Sequence, residues 1–248
     1  MMASWPAQSV ATVIVGVLSL VSIALTITFR YRHDAALEEL KEAKDLRSEQ
    51  RTRQAVAAET VARYRDPLLG AAFELQSRIF NLKGSWFWND PSSYPLDHTL
   101  YVFAQYLGWR EILRLEVQFL DLGAVEETRR LGELLENVTA AMSSSEPRLM
   151  ASGFKLYRGQ QRAIGEKMIV TSAGGVARCL GYADFVEKMA DPAFSVWFEQ
   201  LRKHVLDFRE NPEYARLIEL QHSLIELIDL LDPVSVRFPQ HLRRRLEP

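Results

Sequence analysis

Val10-Ala11-Thr12-Val13-Ile14-Val15-Gly16-Val17-Leu18-Ser19-Leu20-Val21-Ser22-Ile23-Ala24-Leu25-Thr26-Ile27-Thr28-Phe29 runs without a single charged residue. As a helix rising about 1.5 Å per residue, this run matches the hydrocarbon core of a bilayer, about 30 Å thick. Its β-branched residues do not argue against a helix there. In lipid, a lone segment must satisfy every backbone N–H and C=O within itself. Residues 10–29 are therefore expected to form one transmembrane helix. The flanks set its direction. Residues 1–9 hold no Lys or Arg, whereas Arg30, Arg32 and His33, then Lys41, Lys44 and Arg47, follow the run. Positive charge stays on the cytoplasmic side. The short N-terminus is thus expected outside, with everything after Phe29 in the cytoplasm beneath an inner or plasma membrane. A cleaved signal peptide needs a basic leader and a small-residue cleavage site. Thr28-Phe29-Arg30-Tyr31 is a poor one, so an uncleaved anchor is expected.

The rest of the chain is long enough for one good core. Thirty Lys and Arg against 32 Asp and Glu leave a net charge of −2, which speaks against nucleic acid as a partner. Cys179 is the only cysteine, so an intrachain disulfide is excluded, in keeping with a reducing compartment. No Cys/His signature surrounds it, and an inert core thiol is expected.

Residues 30–62 read as a charged helical stalk. Glu38 and Lys41, Lys41 and Asp45, and Glu49 and Arg53 sit at helical contact spacing. In a heptad frame set by Leu37 and Leu40 the next seam residues are Lys44, Arg47, Arg51 and Gln54. That polar seam argues for a solvated stalk over a coiled coil. Asp66-Pro67 then suits a helix start. Leu68, Ala72, Leu75, Ile79 and Leu82 make one apolar stripe, with Gln76 inside its arc and Arg78 at its edge. Gly84 ends that helix. Trp86, Phe87 and Trp88 fall in a loop over 85–95 and are expected to fold back onto the core.

The most apolar helix follows over 97–122, with Val102, Tyr106, Trp109, Leu113 and Leu120 on one face, as a central core helix requires. A third covers 125–142 and another 157–170. Gly174-Gly175 lacks the Gly-Lys-Ser/Thr of a phosphate loop and is expected to be a hinge or turn. After a short helix at 182–190, Asp191-Pro192 caps a longer one with Phe194, Trp197, Leu201, His204, Val205 and Phe208 inward. Asn211-Pro212 caps a last helix to about Leu231, and Asp232-Pro233 stops it. The expected fold is all-α: an extracytoplasmic tail (1–9), the membrane helix (10–29), the stalk (30–62), a bundle of five or six helices (63–232) and a basic tail (233–248). Arg243, Arg244 and Arg245 of that tail are expected either to touch an anionic membrane weakly or to belong to a disordered end that keeps the chain soluble.

Tyr64-Arg65-Asp66-Pro67-Leu68-Leu69, with Leu75-Gln76-Ser77-Arg78 and Asn81, resembles a group of uncharacterised bacterial proteins that carry N-terminal membrane anchors. The run Leu156-Tyr157-Arg158-Gly159-Gln160-Gln161-Arg162-Ala163-Ile164-Gly165-Glu166 is similar to the same group. The resemblance implies a membrane-tethered helical protein and carries no activity with it.

Arg65, Gln76, Arg78, Arg158, Gln161, Arg162 and Glu166 have the makeup of an anion pocket, because arginine forks suit phosphate and carboxylate. The competing reading is a network that caps and links helices. Glu116 and His204 sit in the middle of apolar stripes. Glu116 is expected to be buried and bonded to His204, Arg158 or Arg162, since a lone buried carboxylate is too costly. Glu219-x-x-His222 has the spacing of half a di-iron site, but only one such motif is present. Glu219, His222, Glu226 and Asp229 lie opposite the leucine stripe and read as a solvated face. Neither a metal site nor a cofactor is expected. The expected function is a membrane-anchored cytoplasmic module for protein interaction or sensing, its partners being the bilayer and a further protein or a second copy. The alternatives are an anchored enzyme or ligand-binding domain acting on an anionic small molecule, and a membrane-associated bacterial defence effector.

Overall fold

The computed structural model describes residues 62–84, 90, 92–117, 126–172 and 174–247, together with 30, 37, 41, 43–52, 55, 56 and 59. The expected membrane helix and the Trp86-Phe87-Trp88 segment lie outside these. No helix among the described residues is long and apolar enough to cross a membrane. Contacts divide the chain into Met1–Arg53 and Gln54–Pro248. In the first unit residues 43–52 are helical, and Leu37 and Leu46 are exposed.

The second unit is an all-α bundle with one small hairpin. Helix α1 runs to residue 82 and is already helical at 62. The Asp66-Pro67 pair therefore does not start it. Pro67 costs one i→i−4 bond, and the apolar stripe on both sides of it outweighs that loss. Leu68, Ala72, Leu75, Ile79 and Leu82 are all buried, as the periodicity requires. Helix α2, Tyr94–Val117, is the centre of the bundle. Leu100, Val102, Phe103, Ala104, Tyr106, Leu107, Ile112 and Leu113 are buried around its whole circumference. Helix α3 spans Glu126–Ser143, followed by a 3-10 turn at Pro147–Leu149. Phe154, at φ +60°, turns the chain back with its ring between those of Phe103 and Phe208.

Helix α4, Arg158–Met168, crosses α2 closely. It ends where Ile169–Thr171 (β1) pairs antiparallel with Ala177–Cys179 (β2). The turn between them needs Gly175, at φ +77°. The Gly174-Gly175 segment is thus a turn, as expected, while the hairpin is an addition to the all-α reading. Three-residue strands show no period to read. Helix α5 is Tyr182–Lys188. The expected single helix after Asp191 is broken into α6 (Pro192–Ser195), a 3-10 turn (Val196–Phe198) and α7 (Glu199–Glu210). Asp191 caps it as expected, its carboxylate accepting from the Ala193 N–H at 2.9 Å. The 3-10 turn advances about 120° per residue instead of about 100°. Phe198, four residues after Phe194 and three before Leu201, is buried, and Trp197, expected inside, is 47% exposed.

Helix α8, Ala215–Leu231, packs on α3. Beyond it, residues 232–247 fold back as a strap across α1 and α8. Phe238 stacks on Phe73 of α1 at 3.8 Å, and Leu246 is buried. The strap is therefore fastened to the bundle rather than a free basic tail, and Arg243, expected at a membrane surface, is buried inside it.

Candidate functional site

The seven residues read as an anion pocket are divided among several places. On α1, Arg65 donates from Nε to the Leu231 carbonyl at 2.7 Å, closing the end of α8. Gln76 is buried. Its Nε2 donates to Ser77 Oγ at 2.9 Å and to the Leu242 carbonyl at 3.2 Å, and its Oε1 accepts from Gln221 Nε2 at 3.3 Å. On α4, Gln161 is buried and donates to the carbonyls of Thr139 and Leu156 at 3.1 and 2.9 Å. Arg158 is on the surface in an ion pair with Glu136 of α3. Arg162 and Glu166 are exposed on α4. The set is not one pocket, because helical spacing fixes a residue's face but not which faces meet.

Arg78 lies in a different setting. It is buried, bonded to His98 Nδ1, with its guanidinium 5.9 Å from the Tyr94 ring centroid. Tyr101 and Tyr182 pack edge to face beside His98, at 5.2 Å between their rings. Burial, and then the Arg78 charge, hold His98 down at about 4, so the imidazole accepts from the arginine as a neutral ring. Burial lowers Arg78 itself, against the favourable Tyr94 hydrogen bond. Burial also lifts the Tyr101 phenol to about 12 and the Cys179 thiol to about 12, which makes the cysteine an inert core residue.

The expected pair of Glu116 with His204 or an arginine is not formed, because Glu116 is exposed. The face was right, since Val102, Tyr106 and Leu113 on it are buried. Cover is lost after Leu113, where Leu115 and Glu116 both face solvent. The buried carboxylate of α2 is Glu111 instead, and Arg114 one turn on grips it at 2.5 and 2.9 Å. His204 is half-buried. Its Nε2–H donates to the Lys155 carbonyl at 3.0 Å, which fastens α7 to the Phe154 turn.

Two arginines hold the interior: Arg216, which the sequence did not single out, and Arg243, expected at a membrane surface. Arg216 of α8 is wholly buried and donates to the carbonyls of Ala141, Met142, Ser144 and Leu149 at 2.8, 3.4, 3.0 and 2.9 Å. It is a positive cap on the C-terminal end of α3. Arg243 of the strap bonds Asp229 at 2.8 Å, Asp232 at 2.6 Å and the carbonyls of Asp232 and Phe238 at 3.0 and 2.8 Å. On Asp232, burial works upward but is outweighed by the N–H groups of Phe238, Val236 and Arg237, and by Arg243, so its carboxyl is held below the usual range. The signal for Arg216 was present: it sits four residues before Leu220, on the leucine stripe. Nothing local marks Arg243.

The face expected to be solvated, opposite those leucines, is partly covered. Glu219 pairs with Arg148 at 2.7 Å, His222 donates to the Leu246 carbonyl at 2.9 Å, and Asp229 holds Arg243. No group of His, Cys, Asp and Glu among the described residues could hold a metal. Where the strap meets the end of α1 there is an open groove of about 440 Å³. Phe80 and Leu246 supply its apolar wall, and Lys83, Arg244, Arg245 and Glu247 its charge. No protein family matches the chain, and no curated protein or solved structure is similar to it. What stands is the class of the fold: an all-α bundle with one small hairpin, built around α2.

Proposed function

We propose that the chain is a single-pass membrane protein whose helical body lies in the cytoplasm and works by binding another protein. The observation that carries this reading is the uncharged run at 10–29 with basic residues gathered on its C-terminal flank alone. The chemistry of the body favours a scaffold over a catalyst. Gln76, Gln161, Gln221 and Arg216 are buried polar side chains, and each donates to a backbone carbonyl of another element. Side chains so engaged make surfaces rigid, which favours specific contact with a partner.

Topology is the first test. On intact cells a cysteine at Ser4→Cys should react with an impermeant maleimide, and one at Ser48→Cys only after permeabilisation. Cys179, buried, contributes little background. The reverse pattern, or a processed soluble product, overturns the assignment. Crosslinking of the full chain in mild detergent then separates a distinct partner from a second copy.

A further inference from the structure

We propose that the groove between the end of α1 and the strap binds the phosphate head group of an anionic lipid. The argument begins with charge. Among the described residues, Lys83, Arg244 and Arg245 line the groove beside the carboxylate of Glu247. Lys83 Nζ donates to the Glu247 carbonyl at 3.3 Å, which leaves it further N–H donors. Arg245 reaches Glu226 only at 3.6 Å, between two half-exposed side chains, a contact of the weak surface kind. A cationic rim beside the apolar wall of Phe80 and Leu246 matches a lipid, where a phosphate adjoins glycerol and acyl carbons.

The second observation is that the rim is built in advance. Gln221, buried, grips the chain on both sides of Arg245: its Nε2 donates to the Arg244 carbonyl at 2.7 Å, and its Oε1 accepts from the Leu246 N–H at 3.0 Å. Gln76 holds the Leu242 carbonyl, and Arg243 is locked within the strap. The backbone carrying two of the three cations is thus fixed before any ligand arrives, which lowers the entropy cost of binding. Gln221 and Gln76 are positioning residues here. The proposal takes from the reading above only that the chain lives at a bilayer. A tethered body meets lipid at high effective concentration, so a contact of modest affinity suffices.

The test uses the full chain in neutral detergent micelles, labelled at Asn81→Cys on the exposed groove edge with an environment-sensitive dye. Phosphatidylglycerol added to the micelles should give a saturable spectral shift, and phosphatidylcholine at the same mole fraction none. Salt at about 1 M, where the screening length is about 3 Å, should remove the shift. Arg244→Gln alone should weaken binding about fivefold, and Lys83→Gln, Arg244→Gln and Arg245→Gln together about a hundredfold. Arg202→Gln, Lys203→Gln and Arg209→Gln together, on exposed positions of α7, should leave it unchanged. An equal response to phosphatidylcholine, or equal loss in the α7 variant, overturns the proposal. So does full competition by soluble glycerol phosphate or polyglutamate at matched charge. Alkaline carbonate extraction of the full chain from membranes tests the anchor separately, and its result does not enter the micelle titration.

Discussion

Arg216 lies wholly inside the bundle, and its charge is held there by the carbonyl end of α3. Burying a guanidinium is costly, and the four carbonyls that accept from its two terminal nitrogens offset that cost. Arg216→Met should remove the charge, strand those carbonyls and destabilise the protein by about 3 kcal/mol. Arg216→Lys should lose less but not recover, because an ammonium cannot fork across several acceptors. Urea unfolding of the full chain in neutral detergent, followed by tryptophan fluorescence, reads both. His98 makes a prediction with pH. Its folded-state value of about 4 lies below the ordinary 6.5, so the unfolded chain takes up the proton first. Its contribution is fully present above about pH 6.5 and is lost as pH falls from there towards 4. A shift of that size amounts to about 3 kcal/mol in a dry site, and to about half as much for a ring partly open to water. His98→Gln should flatten the urea midpoint between pH 7 and pH 4.5. An unchanged slope would remove His98 as its cause.

Among the elements, the crossing of α4 over α2 is set by two glycines. A Cβ on Gly165 would stand 2.7 Å from the Leu107 carbonyl oxygen and 2.8 Å from Glu111 Cβ. A Cβ on Gly108 would meet Cys179 Sγ at 2.7 Å and Met168 Cβ at 2.8 Å. Helix propensity favours alanine over glycine by about 1 kcal/mol, but overpacking a tight crossing costs about 1–3 kcal/mol. Gly165→Ala should therefore destabilise. Gly132→Ala, in α3 with nothing within 4 Å of the new methyl, should stabilise by about 0.5–1 kcal/mol. Opposite signs in the same urea assay are the expected outcome. The break between α6 and α7 belongs to this scale too. Phe194, Phe198, Leu201, Val205 and Phe208, spaced four, three, four and three residues apart, are buried as one helical stripe, and Trp197 at its edge is exposed.

At the scale of the molecule, the strap ties both ends of the body together. Arg237 pairs with Asp66 near the start of α1, and Lys83 at its end reaches Glu247. Arg243→Met should leave Asp232 buried without its partner and cost about 3 kcal/mol. Hydrogen exchange should then rise together at 239–247 and in the facing turns of α1 and α8. Faster exchange in the strap alone would show that it does not brace the bundle. The apolar periods of α1, α2 and α8, the Asp191 cap and the turn at Gly174-Gly175 were all legible in the sequence, because capping and helical period act over a few neighbouring residues. So was the uncharged run at 10–29, whose length and charge need no fold to be read. Which polar side chain meets which carbonyl was not. Glu116 and Glu111 lie on one helix, and only the place where the bundle stops covering α2 exposes one and buries the other. Gln76 and Gln221 are 145 residues apart, and Arg243 finds Asp229 only because the strap doubles back. Such contacts arise when distant elements pack, so tertiary structure alone decided that Arg65, Gln76 and Gln161 fasten elements together and that the basic tail is a strap.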